Sequence, residues 1–135
     1  MKSTSEVMTS GIRIARPEQT VRDAALAMAE YDIGCLPVGE GDRLIGMITD
    51  RDIALRAVAQ GLGPDTPIRE VMSKGIKYCF KEDRADEVAK NMAELKVRRL
   101  PVVDRDKRLV GIVTLSNITY HIDAPEFLGS VAQPH

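Results

Sequence analysis

Tryptophan is absent, and two phenylalanines and three tyrosines hold the aromatic content to 4% of 135 residues. A core with so few rings is aliphatic, drawn from Val, Ile, Leu, Met and Ala. Only two cysteines occur. Cys35 and Cys79 lack the close spacing of a zinc or thioredoxin-like motif, and their reading is as small buried hydrophobes. The two histidines, His121 and His135, both fall near the end. With no G-x-S-x-G elbow and no Walker-type loop beside them, the chain offers no machinery for catalysis, and an enzyme is not expected. Net charge is close to balanced, at −1, so no broad field favours nucleic acid or an anionic membrane. No apolar run approaches membrane-spanning length, and Met1 to Glu6 lacks the apolar stretch of a signal peptide. The expectation is a cytoplasmic protein with no nucleic-acid or membrane partner.

What the chain does have is a duplication. Val7 to Ala57 aligns with Val71 to Ile122 at an offset of 64, which becomes 65 after the turn at Asp42 and Asp106. About a third of the paired positions are identical, among them Gly11/Gly75, Met28/Met92, Leu36-Pro37-Val38/Leu100-Pro101-Val102, Gly46/Gly111, Thr49/Thr114 and Ile53/Ile118. A repeat of this length is two copies of one supersecondary unit, each too small to bury its apolar face alone. Packing about a pseudo-twofold axis is the expected solution, and it creates clefts where ligands prefer to bind. The reading is motif 1 over residues 1–61, a linker at 62–67 rich in Gly and Pro, motif 2 over 68–122 and a tail at 123–135.

Each motif reads as short helix, strand, helix, strand, strand, helix. Val21, Ala24, Ala25 and Met28 form one helical stripe and Ala85, Val88, Ala89 and Met92 its counterpart. Thr20 with Asp23 signals the first helix start, while Asp83 or Arg84 opens the second. Cys35 to Val38 with Leu44 to Thr49, and Leu100 to Val103 with Leu109 to Thr114, should form antiparallel hairpins. Thr66-Pro67 predicts a helix restart, with proline at its first position.

Two features carry chemistry. A strand followed by Thr49-Asp50-Arg51-Asp52 sets a hydroxyl and a carboxylate beside a helix N-terminus, suited to a sugar phosphate; Thr-x-x-Asp is equally an ordinary capping arrangement. The second motif has Thr114 and Asn117 at those places. Arg98 and Arg99 enter a buried strand with opposite orientations, one suited to a cleft-bound phosphate, the alternative being a salt bridge to Asp104 or Glu94.

The repeated Leu-Pro-Val, Leu-x-Gly-Ile/Met-x-Thr and Thr-x-x-Asp/Asn-Ile pattern over residues 7–122 resembles the tandem CBS (cystathionine beta-synthase) domain pair. The resemblance implies an α/β (α+β) fold, with two motifs packed through their sheets about a pseudo-twofold axis. It also implies a stand-alone regulatory module that binds an adenosine-containing nucleotide (AMP, ADP or ATP) in the inter-motif cleft and signals by conformational change. No other cofactor is implied. By resemblance, Thr49 and Asp52 hold ribose and phosphate, and Met47, Gly75, Ile76, Lys77 and Val97 line the adenine pocket, with Gly75 to Lys77 as the first strand of the partner motif. Arg98 and Arg99 hold phosphates. A second, weaker site joins Gly11, Ile12, Arg13, Gly34, Cys35, Thr114 and Asn117, the amide replacing the ribose carboxylate. A homodimer is implied, with output through a separate effector protein. The competing reading is a metal- or redox-responsive protein using Cys35, Cys79 and His121 without nucleotide.

Overall fold

A computed structural model describes residues 2–121. The 123–135 tail and His135 lie outside the described residues. In chain order the elements are α1 (Thr4–Val7), α2 (Val21–Tyr31), β1 (Cys35–Glu40), β2 (Arg43–Thr49), α3 (Asp50–Asp52), β3 (Cys79–Phe80), α4 (Ala85–Leu95), β4 (Arg99–Val103), β5 (Leu109–Thr114) and α5 (Leu115–His121). The α3 turn runs on as a π-wound segment, Ile53–Val58, and a 3-10 turn occupies Ile68–Glu70.

Two compact units emerge, and they do not coincide with the two sequence motifs. One is Arg13–Ile76; the other joins the residues up to Ile12 to those from Lys77 onward. Each motif therefore gives its opening segment to the unit that carries the other motif's hairpin. Thr4 donates from its backbone N–H and from its hydroxyl to the Asp83 carbonyl, both at 2.8 Å. At the matching position one offset later, the Ile68 N–H donates to the Gln19 carbonyl at 2.7 Å. The chain thus changes units at Ile12–Arg13 and Ile76–Lys77, and not in the Gly/Pro linker at 62–67.

In the Arg13–Ile76 unit, β1 and β2 form an antiparallel hairpin in register Cys35↔Thr49, bulged after Val38, with Ala15 bridging Val38 in parallel. Val21, Ala24, Met28, Leu36, Val38, Ile48, Ile68 and Val71 fill its core. The outer edge of β2 takes a short third strand, because Met47 and Ser73 exchange backbone hydrogen bonds at 3.0 and 2.8 Å. The other unit repeats the plan: β4 and β5 pair antiparallel in register Arg99↔Thr114, β3 adds in parallel to β4, and Thr9 pairs with Ile112 at 2.8 and 3.0 Å. Val7, Val88, Met92, Leu100, Val102, Val113 and Ile118 make its core.

The duplicated glycines explain why these strands can approach. A Cβ at Gly46 would stand 2.8 Å from the Ser73 carbonyl oxygen and 2.9 Å from the Met72 sulfur; at Gly111 it would stand 2.7 Å from both the Thr9 oxygen and the Met8 sulfur. The missing side chain is a notch for a Met and the backbone behind it.

Sequence expectations hold for both hairpins and both long helices, with local corrections. Thr20 and Asp23 form a reciprocal capping box, and α4 starts after Arg84 with no side-chain cap. Ala27 and not Ala25 completes the α2 stripe: at about 100° per residue, Val21, Ala24, Ala27 and Met28 span one arc centred on Ala24, and Ala25 falls outside it. Pro67 caps the 3-10 turn from outside it, and the Thr66 hydroxyl donates back to the Gly63 carbonyl at 2.7 Å. Gly75 to Lys77 precede β3 instead of forming it. Among the described residues, no helix is long and apolar enough to cross a membrane.

Gly46→Ala should lower unfolding stability by about 1–3 kcal/mol, the usual cost of overpacking a tight contact. Gly63→Ala, where a Cβ meets nothing within 4 Å, is the control and should be near neutral in urea melts. Equal effects from both variants would contradict the notch.

Candidate functional site

The end of β2 delivers Thr49 and Asp52 as a reciprocal box. The Asp52 N–H donates to Thr49 Oγ1 at 3.0 Å, and the Thr49 N–H donates to Asp52 Oδ2 at 3.0 Å. The capping alternative is therefore realised in the structure. Capping does not exhaust the carboxylate, however. Asp52 is buried, 8% exposed, and the Ser73 hydroxyl spans its two oxygens at 3.3 and 3.4 Å. Arg56, one turn on, brings Nε to 3.7 Å from Oδ1 and donates from Nη1 to the Met72 carbonyl at 3.3 Å. The Arg56 side chain is 55% exposed, so this pair offers little return for burying a charge. Met47, half-buried, lies on the strand that Ser73 joins.

The other unit contains the same box without the charge. The Asn117 N–H donates to Thr114 Oγ1 at 3.0 Å, and the Thr114 N–H donates to Asn117 Oδ1 at 3.2 Å. The Arg98 carbonyl accepts from the Leu115 N–H at 2.8 Å, as the Gly34 carbonyl accepts from the Asp50 N–H at 2.9 Å. The arginines thus enter β4 where the first motif has Gly34 and Cys35. A Cβ on Gly34 would stand 3.0 Å from Asp50 Oδ2, so a side chain there must displace that carboxylate.

The units divide both sets of sequence-derived site residues. Met47, Thr49, Asp52, Gly75 and Ile76 belong to the Arg13–Ile76 unit, and Lys77, Val97, Arg98 and Arg99 to the other. Arg98 and Arg99 are both exposed; they flank the bend into β4, where pairing begins only at Arg99. Val97 packs on the core of its unit. Of the second set, Gly11, Ile12, Thr114 and Asn117 share one unit, and Arg13, Gly34 and Cys35 the other. Gly11 takes φ +66, a left-handed conformation that favours glycine. Arg13 lies over the Tyr31 ring at 5.6 Å.

Sequence reasoning missed Ser73 and Arg56. Arg56 was accessible through its i+4 spacing from Asp52. Ser73 was not, because its approach depends on the exchange of segments between motifs.

Both cysteines are buried, and neither forms a disulfide. Burial, with the Asp83 charge adding to it, pushes the Cys79 thiol up to about 12, and its Sγ donates to the Pro101 carbonyl at 3.7 Å. The thiolate that binds zinc or attacks a disulfide is thereby disfavoured. No group of three or more His, Cys, Asp or Glu side chains suited to a metal occurs among the described residues.

The CBS-domain family model matches residues 5–58 and 68–124. The chain is 39% identical over 130 residues to the CBS domain-containing protein YhcV of Bacillus subtilis (strain 168), covering 96% of this chain and 92% of that protein. Among solved structures, it is similar to Hypoxic Response Protein I with two coordinated zinc ions, at 39% identity, 90% and 99% coverage and a TM-score of 0.81. It is also similar to the CBS domain pair of protein MJ0100 in complex with 5′-methylthioadenosine and S-adenosyl-L-methionine, at 28% identity, 90% and 95% coverage and a TM-score of 0.76.

Thr49→Ala and Thr114→Ala should each cost about 1 kcal/mol of stability through the lost cap. Cys79 should resist iodoacetamide at pH 8 until the protein is unfolded in denaturant, as mass spectrometry would show; prompt alkylation of the native protein would contradict its buried, protonated state.

Proposed function

Because this chain belongs to the CBS-domain family, we propose that it is a non-catalytic regulatory module, cytoplasmic and homodimeric, that binds an adenosine-containing ligand of the AMP, ADP or ATP class and passes the signal to a separate effector by conformational change. The observation that carries this reading is the buried Asp52 carboxylate. Its counterpart Asn117 performs the same cap with a neutral amide, so capping alone does not require the charge. A carboxylate held at a strand end beside a helix start is the kind of group that takes the two vicinal hydroxyls of a ribose. Thr49 supports it, Met47, Gly75, Ile76, Lys77 and Val97 are assigned to the adenine, and Arg98 and Arg99 to the phosphates, whose paired oxygens match a guanidinium. The adenosyl ligands of the MJ0100 pair support the ligand class. The Thr114–Asn117 box is assigned the weaker site.

A second reading, zinc or redox response, draws support from the two zinc ions of Hypoxic Response Protein I. In this chain Cys79 is buried, and no group of three or more His, Cys, Asp or Glu side chains suited to a metal occurs among the described residues. A zinc titration before and after thiol blocking separates the two readings.

Asp52→Asn should preserve the cap and the melting temperature while weakening AMP binding in calorimetry about tenfold, the difference between a charged and a neutral acceptor. Unchanged affinity would remove Asp52 from the site. Replacing Arg98 and Arg99 with Met should abolish the preference for AMP over adenosine and leave adenosine binding in place. An unchanged ratio of the two affinities would sink the phosphate assignment.

A further inference from the structure

Outside its cap, Asp52 is met by a hydroxyl from a segment 21 residues away in the sequence. The Ser73 hydroxyl reaches both carboxylate oxygens, at 3.3 and 3.4 Å, so its single proton can serve either of them. Oδ2 is additionally tied to the Thr49 N–H, and Oδ1 faces Arg56. A carboxylate offers about four lone-pair positions, and the Thr49 N–H and the Ser73 hydroxyl draw on these with the Arg56 charge nearby. The Ser73 backbone is fixed independently, by two hydrogen bonds to Met47, so its hydroxyl can rotate away without the strand moving. Arg56 ties the same segment through the Met72 carbonyl, so the two side chains that face Asp52 from outside its cap, Ser73 and Arg56, are both anchored at residues 72–73.

We propose that Ser73 is an affinity- and specificity-determining residue of the ribose site: its hydroxyl stands in for the ligand's diol in the free protein and is displaced when the ligand binds. The inference rests on the assignment of Asp52 to the ribose. Two consequences follow from the geometry. The free protein is spared an unsatisfied buried carboxylate, and every ligand must exchange its own hydroxyls for a hydrogen bond already made. Only a ligand with two donors improves on the exchange. Ser73 therefore tunes the site toward intact ribose and against deoxyribose.

The test is calorimetric titration of adenosine and of 2′,3′-dideoxyadenosine into the protein and its Ser73→Ala and Ser73→Thr variants, with melting curves of each free protein. Ser73→Ala removes the competitor and leaves the carboxylate poorly satisfied, so the free protein should melt lower while adenosine binds about three- to tenfold tighter, the net range of one ordinary hydrogen bond. Dideoxyadenosine, which cannot replace the hydroxyl, should gain nothing. Ser73→Thr keeps the hydroxyl, and Thr9 stands at the equivalent position in the other unit, so wild-type behaviour is expected. A lower melting temperature with unchanged or weaker adenosine binding would make Ser73 purely structural and overturn the proposal. Equal gains for both nucleosides would also overturn it, by showing that the effect does not pass through the diol. Should adenosine and AMP fail to bind the wild-type protein at all, the assignment of Asp52 to ribose fails, and the proposal with it.

Discussion

Two glycines, Gly46 and Gly111, set the constraint on which the rest of the structure depends. A two-stranded hairpin is marginal by itself. Each hairpin here gains a further strand along its second edge, and the close approach of that strand is possible only where a Cβ is missing. The strands admitted are Met8–Thr9 and Met72–Ser73, each supplied by the opening segment of the other motif. Backbone pairing and a methionine beside each notch account for the burial of Val7, Val71 and Met72. The sequence duplication is thus completed by an exchange of ends, so that neither motif builds its own unit.

The same exchange builds the candidate site. Without the Met47–Ser73 pair, Asp52 would be a helix cap with a nearby arginine. With it, the Ser73 hydroxyl meets the carboxylate from a distant part of the sequence, and the Met72 carbonyl accepts from Arg56, the arginine that faces the same carboxylate. The second unit has the same backbone frame around Thr114 and Asn117, with Thr9 paired to Ile112, but carries no charge in the box. One scaffold therefore presents two electrostatic settings. Arg98 and Arg99, at the strand entrance where the first motif has Gly34 and Cys35, make the entrances different as well.

Local features were legible in the sequence because short-range physics determines them. Thr20 and Asp23 announced a capping box that forms, and the alternating strands announced both hairpins to within two residues. Offset matching identified Thr49/Thr114 and Asp52/Asn117 as paired positions, and both pairs make the same reciprocal hydrogen bonds. What escaped depended on long-range contacts. Periodicity placed Ala25 in the core, where the arc through Ala24 and Ala27 excludes it. Ser73 stands 21 residues from Asp52 and gave no local signal. Gly46 and Gly111 were visible as a repeat, but a repeat shows that two positions are equivalent, not which residues meet them.

Amide hydrogen exchange on the intact protein tests the exchange of ends most directly. The four amides of Thr9, Ile112, Met47 and Ser73 donate within the two clasps, so the account expects each to exchange as slowly as the central amides of β1 and β4. Fast exchange at Thr9 and Ser73, with β1 and β4 still protected, would show that the hairpins stand without these segments and would contradict the account.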